Sequence, residues 1–301
     1  MLIYLIFVGS LAVLLLGSEW LIDSAEKIGL SFGISSFIIG VTIVAFGTSL
    51  PELATSIAAV HAGTSEIVIA NVIGSNIANI LLVLGITAIV GKGIKLDFNI
   101  MDVDIPLLII SAIFLYFTCY DLHLSFFECI LMLIGLGIFL LNSVSGEKEN
   151  TENLPKVTAP MIVKLIFGGL AVYFGATFTI NSLTQISVEL GISPDVIALT
   201  AIALGTSLPE VIVSMAAARK GKHAIAVGNV LGSNIFNTYA VMTIPSFLGD
   251  LKIPEHTLYF SLPFMVAVTF LFSYAVMSNR VSKWEGYMLV LLYVFYISEV
   301  I

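Results

Sequence analysis

The segment Gly47-Thr48-Ser49-Leu50-Pro51-Glu52 recurs unchanged as Gly205-Thr206-Ser207-Leu208-Pro209-Glu210, each copy within a run of apolar residues. On a helix, residues three and four apart share a face, so Thr48 and Ser49 lie on the side of Glu52, and Thr206 and Ser207 on the side of Glu210. Pro51 cannot donate to the carbonyl of Gly47, nor Pro209 to that of Gly205. Those carbonyls must find a partner or face a cavity, because exposed to lipid they would be unsatisfied. A carboxylate, two hydroxyls and a freed carbonyl, used twice at membrane depth, suit a cation pathway.

A second polar stripe follows each copy. Asn71, Ser75 and Asn79 are spaced by four and stack on one helix face, and they recur as Asn229, Ser233 and Asn237. Gly74 and Gly232 allow a neighbouring helix to approach that face. Amides, hydroxyls and carbonyls are hard ligands, suited to Na⁺ and Ca²⁺ rather than to zinc or copper. Two buried carboxylates close together stay ionised only if cations share the site. One Ca²⁺, two Na⁺ or two protons would each neutralise them, so these ligands compete for one charge.

The elements that must position these groups are membrane helices. The chain is 58% hydrophobic and only 11% charged, against roughly a quarter charged in soluble domains. About twenty apolar residues cross the hydrocarbon layer as a helix. The sequence predicts an all-α integral membrane protein with spans near 2–24, 37–61, 67–90, 104–119, 124–142, 160–185, 195–218, 223–247, 257–278 and 283–300. The first span runs into Glu19 and Asp23 without a small-residue cleavage site and is read as retained.

The duplication extends beyond the hexapeptide. A shift of 158 aligns Gly17 through Leu84 with Gly175 through Met242 without a gap, and 29 of these 68 positions are identical. The polar stretch 145–158 separates two five-helix halves, 1–144 and 159–301. Five is odd, so the second half enters the membrane inverted. With the N-terminus outside, one set of loops and helix ends carries Lys27, Lys92, Lys95, Lys148, Lys156, Lys164, Arg219, Lys220, Lys222, Arg280 and Lys283, and the other only Lys252. The positive-inside rule then places both termini outside and the linker in the cytoplasm of a cell-membrane protein. Along the sequence these cations form no dense cluster and read as orientation signals rather than a lipid site.

Bland readings accompany the sharp ones. Thr42, Thr200, Ser56 and Ser214 are expected to bond their own i−4 carbonyls. Glu19 and Asp23 are matched in the repeat by Thr177 and Asn181, so they are expected at a vestibule or helix end. Asn76 and Asn234 lie one residue off the stripe and are expected to bond between helices. Cys119 and Cys129 read as small hydrophobes. No basic stripe suggests nucleic acid, and neither a cofactor nor an obligate protein partner is expected, a monomer being the default.

The paired GTSLPE segments and the GSNIxN segments that follow them resemble the α-repeats of the sodium/calcium exchangers, within the cation/calcium antiporter superfamily. The resemblance covers most of the chain and implies the exchanger fold of ten helices in two inverted repeats. It implies antiport of Na⁺ against Ca²⁺ by alternating access, with more than two Na⁺ per Ca²⁺ making exchange electrogenic. Carried over by position, Glu52 and Glu210 hold Ca²⁺ with the carbonyls of Thr48 and Thr206. Ser49, Ser207, the Thr206 hydroxyl and the carbonyls of Ala45 and Ala203 resemble outer sodium ligands. Ser75 and Ser233 match further sodium ligands, and Asn79 and Asn237 the remaining central positions.

Potassium-dependent relatives tend to have aspartate where this chain has Asn237, and proton-coupled relatives a GNxxE pattern in place of GTSLPE. The resemblance therefore favours K⁺-independent Na⁺/Ca²⁺ exchange over Ca²⁺/H⁺ or K⁺-dependent antiport. It also implies that the first and sixth helices form a sliding pair, with Gly17 and Gly175 as places to bend. A channel could use the same ligands, but a single chain with an inverted repeat suits alternating access better. An intramembrane hydrolase built on Ser49 would need a histidine within a span, and all four histidines fall in or near expected loops.

Overall fold

The computed structural model describes residues 2–96, 104–145, 156–190, 206–255 and 257–300. Helix α1 spans Leu2–Ser31, α2 Ser36–His61, α3 Glu66–Val90, α4 Asp104–Thr118 and α5 Phe126–Ser145. In the second half α6 spans Ala159–Glu189, α7 Leu208–Arg219, α8 223–246, α9 Thr257–Val276 and α10 Lys283–Val300. Six of these, α1, α2, α3, α5, α6 and α9, are each long and apolar enough to cross a membrane. The N-terminal part of the expected span 195–218 lies outside the described residues, as does most of the linker 145–158. The fold is all-α apart from a ribbon that the sequence did not announce, β1 Ile94–Lys95 paired antiparallel with β2 Arg280–Val281.

Local chemistry sets the helix starts. Ser35 caps α2 by accepting from the Ile38 amide at 3.4 Å. Ser125 and Glu128 form a reciprocal box at α5, the Ser125 amide donating to Glu128 Oε2 at 2.8 Å and the Glu128 amide to Ser125 Oγ at 3.3 Å. Ser282 and Glu285 repeat that arrangement at α10.

Helices α1 and α6 run past their expected ends, to Ser31 and Glu189, and pack along one another. Gly17 and Gly175 do not interrupt them. Both helices continue through, and the glycines are points of close approach: a Cβ on Gly17 would meet the Ala171 Cβ at 2.6 Å, and one on Gly175 the Leu14 amide nitrogen at 2.8 Å. The centre of the molecule belongs to α3 and α8, whose Val72, Ile73, Ile77, Val230, Leu231 and Ile235 are wholly buried. Helix α2 crosses α8 where both lack side chains, so a Cβ on Gly40 would meet the Ile225 carbonyl oxygen at 2.5 Å. Gly232 touches the Val41 carbonyl, which makes it the close approach expected of it. Gly74 has no described neighbour within 4 Å.

Contacts between loops sort the helix ends onto two faces. The ribbon joins the loops after α3 and α9. The Lys252 amide, between α8 and α9, donates to Ser65 Oγ between α2 and α3 at 3.1 Å. Lys220 and Lys222, between α7 and α8, reach Asp23 in the C-terminal half of α1 at 2.9 and 2.6 Å. These three pairings agree with the partition of cations between loops in the sequence.

Candidate functional site

Each hexapeptide interrupts its helix at the serine. Ser49 has φ −88° and ψ 4°, and Ser207 φ −84° and ψ 0°, so the duplicated sequence produces the same break twice. Proline then enters the first turn of the following segment, where its missing N–H costs nothing. The break leaves Glu52 and Glu210 in the first turns of new helical segments, buried at 1% and 0% exposure. Ser49 Oγ donates to Glu210 Oε1 at 3.3 Å, which places the hydroxyl of one repeat on the carboxylate of the other.

Around this pair the polar stripes cross between halves in matching fashion. Thr48 Oγ1 donates to Asn229 Oδ1 at 3.1 Å, and Thr206 Oγ1 to Asn71 Oδ1 at 3.2 Å. Asn229 Nδ2 donates to Ser214 Oγ at 2.9 Å, and Asn71 Nδ2 to Ser56 Oγ at 3.0 Å. The hydroxyls of Thr48 and Ser233 lie 3.5 Å apart, those of Thr206 and Ser75 3.2 Å. Each contact maps onto its mate by the shift of 158. Asn71 and Asn229 are thus part of the site, although sequence reasoning placed them on the stripe without naming them as site residues. Their signal was recurrence; their role as bridges depends on pairing between halves, which one sequence does not display.

Ser56 and Ser214 accept from these asparagines in place of the expected link to their own i−4 carbonyls. Thr42 does bond the Ile38 carbonyl, at 2.6 Å, while Thr200 lies outside the described residues. Asn79 and Asn237 each open a π-helical turn, Asn79–Val83 and Asn237–Val241. Such turns widen the helix and recur at functional sites. Asn79 Nδ2 donates to Asn234 Oδ1 at 3.1 Å and Asn76 Nδ2 to Thr238 Oγ1 at 3.0 Å, so Asn76 and Asn234 do bond between helices. The Ala45 carbonyl accepts from the Ser49 amide at 3.0 Å and lies 3.3 Å from the Thr48 hydroxyl oxygen, whose proton goes to Asn229. Ala203 lies outside the described residues.

What remains unpartnered is informative. Among the described residues, both carboxylate oxygens of Glu52, Glu210 Oε2, the Asn79 oxygen and both side-chain polar atoms of Asn237 are buried without a hydrogen-bond partner. Leaving one buried neutral group unpaired costs about 1–3 kcal/mol, and a charged group more. A concentration of such atoms at the meeting point of two repeats calls for cations. Among the described residues no group of three or more His, Cys, Asp or Glu is arranged to hold a metal ion. The described charged donors at this centre are the two glutamates, and hydroxyl, amide and carbonyl oxygens complete the set, a composition suited to hard ions.

Away from this centre, Asp23 sits on α1 with Glu19 and Glu26, facing Lys220 and Lys222. Burial pulls the Lys222 ammonium down, but hydrogen bonds to Asp23 and Glu26 outweigh it and hold that group above its ordinary range. With α1 running on to Ser31, Asp23 lies eight residues and Glu19 twelve before its end, so the cluster sits along the helix opposite the loop after α7.

A bundle of membrane helices with two crossed, polar, carboxylate-bearing breaks at its middle defines a secondary transporter. The family model described as sodium/calcium exchanger protein matches residues 2–144 and 161–301. The chain belongs to that family and is a transporter, not an enzyme. It is 31% identical to the sodium/calcium exchanger MaX1 of Methanosarcina acetivorans, covering 97% of this chain and 96% of that protein. An uncharacterised membrane protein of Methanocaldococcus jannaschii is 34% identical over the same shares of the two chains. Among solved structures, the sodium-calcium exchanger NCX_Mj soaked with Na⁺ and Sr²⁺ superposes with a TM-score of 0.87 at 33% identity, covering 99% of this chain and 98% of that one.

Proposed function

We propose that this protein exchanges Na⁺ for Ca²⁺ across the cell membrane by alternating access, without K⁺ and with net charge movement. The observation that carries the reading is the pair of buried glutamates whose carboxylate oxygens are largely without partners at the crossing of the repeats. A single Ca²⁺ neutralises both. Two Na⁺ do the same, and a third makes the cycle electrogenic. Family membership and the likeness to NCX_Mj support the choice of ions.

In this reading Glu52 and Glu210 are shared by both cargoes, and the carbonyls of Thr48 and Thr206 complete the calcium position. Ser49, Ser207, the Thr206 hydroxyl, Ser75 and Ser233, with the carbonyls of Ala45 and Ala203, serve Na⁺. Asn79 and Asn237 sit at the centre as neutral amides. Neutrality at Asn237 is the basis for K⁺ independence, because the position offers no third fixed charge. The two functional halves are 1–144 and 159–301, a division supported by the gap in the family match between 144 and 161. Both termini are outside, the linker 145–158 is cytoplasmic, and a single chain suffices.

Uptake of radioactive calcium into proteoliposomes loaded with Na⁺ and diluted into Na⁺-free buffer tests this. The expected result is uptake that needs internal Na⁺, ignores K⁺ and is accelerated by an inside-positive potential. Uptake driven by a pH gradient alone would move the protein to Ca²⁺/H⁺ antiport.

A further inference from the structure

The ribbon gathers cations that the sequence keeps far apart. Lys95 and Arg280 are direct cross-strand partners, while Ile94 and Val281 fill the other register position at 1% and 0% exposure. With the apolar pair turned to the core, Lys95 and Arg280 share the outer face and both are exposed. Like charges directly opposite one another destabilise a strand pair. Lys92 stands in the left-handed turn entering β1, with φ 56°, and Lys283 follows β2 at the start of α10. None of these four side chains forms an ion pair among the described residues. Two loops from different halves therefore build a basic patch at one membrane face, without ion pairs among the described residues.

An apolar groove of about 880 Å³ between α9 and α10 opens beside it, lined by Leu271, Tyr274, Met288 and Phe295 among others. Trp284 belongs to both features, since it lines the groove and carries the Lys283 Nζ 5.1 Å from its ring centre. Tyr287 adjoins Trp284 at 5.8 Å between ring centroids. Paired Trp and Tyr mark the headgroup level of a bilayer. The one acid lining the groove, Glu285, accepts from the Ser282 amide at 2.7 Å and is thereby held to the start of its own helix.

We propose that ribbon and groove together bind one anionic phospholipid, its phosphate between Lys95 and Arg280 with Lys92 and Lys283 flanking, and an acyl chain along α9 and α10. Charge complementarity selects this occupant: a zwitterionic lipid would fill the groove but leave the like-charged cross-strand pair uncompensated. The consequence reaches the transport core. Helix α10 packs closely on α3, a Cβ on Gly286 meeting the Gly85 carbonyl oxygen at 2.7 Å, so a lipid held here braces the helix that carries Ser75 and Asn79.

The test uses the full chain in neutral detergent, with native mass spectrometry and thermal unfolding, comparing phosphatidylglycerol with phosphatidylcholine of equal chain length. Wild type is expected to bind phosphatidylglycerol more tightly and to unfold at higher temperature with it. Each cation near the lipid surface contributes about fivefold in affinity, so the double variant Lys95→Gln with Arg280→Gln should lose roughly thirtyfold. The charge-preserving pair Lys95→Arg with Arg280→Lys should retain binding, as should Lys252→Gln on the other face. Equal binding of both lipids by wild type would overturn the proposal, as would an unchanged preference in the double Gln variant. Stabilisation by soluble glycerophosphoglycerol equal to that by the lipid would remove the groove from the site.

Discussion

At the scale of residues, the account rests on two buried carboxylates that together receive one hydrogen bond among the described residues, from Ser49 to Glu210. The Glu52 carbonyl accepts from Asn71 Nδ2 at 3.1 Å, but its carboxylate has no hydrogen-bond partner among the described residues, so a bound cation or a proton must offset its burial. Glu52→Gln should therefore separate function from stability. Calcium uptake is expected to fall to background, while the melting temperature in ion-free buffer stays equal to wild type or rises, because an amide carries no unpaired charge. The rise that Ca²⁺ produces in wild type should vanish, which thermal unfolding with and without Ca²⁺ would register. The importance of these glutamates was legible because duplication repeats them with Thr, Ser and Pro in fixed register. The bridges made by Asn71 and Asn229 were not, since each joins a serine of its own half to a threonine of the other. Ser56 and Ser214 were misread for the same reason: a local carbonyl is always available on a helix, and a partner on another helix cannot be seen from one strand of text.

At the scale of elements, helix breaks and glycine contacts position the donors. The break at Ser49 and Ser207 could be anticipated from the proline two residues on. The π-helical turns at Asn79 and Asn237 could not, because their dihedrals are those of an ordinary helix, near −59° and −44° to −48° at those residues, and no residue pattern marks them. Apolar runs located most spans, yet α1 and α6 extend beyond theirs through Ser31 and Glu189, where packing holds polar turns in helical form. Glycines signalled close approach at Gly232, and Gly17 and Gly175 are close approaches as well. Gly232→Ala should lower stability by about 1–3 kcal/mol, as overpacking does, because the added methyl meets the Val41 backbone rather than a movable side chain. Gly137→Ala in α5, where an added Cβ would meet no described side chain or other helix within 4 Å, should be neutral or slightly stabilising. Denaturation in detergent would compare the two.

At the scale of the whole molecule, one operation relates the halves: a shift of 158 carries the threonine–asparagine–serine bridges, the serine breaks and the π-helical turn at Asn79 onto their mates in the other repeat. A site made at such a crossing takes ligands from each repeat. The sequence disclosed this organisation through its internal identity and loop charges. The ribbon remained hidden because two residues on each strand leave no periodic signature. The central claim is that Ca²⁺ and Na⁺ compete for one pair of carboxylates. Equilibrium binding of radioactive calcium to the purified protein, titrated with Na⁺ at constant ionic strength, tests it most directly. The account predicts that Na⁺ displaces Ca²⁺ completely and with a slope requiring at least two Na⁺ per Ca²⁺, and that Glu210→Gln abolishes the binding. Calcium that stays bound at saturating Na⁺, or binding that survives Glu210→Gln, would contradict it.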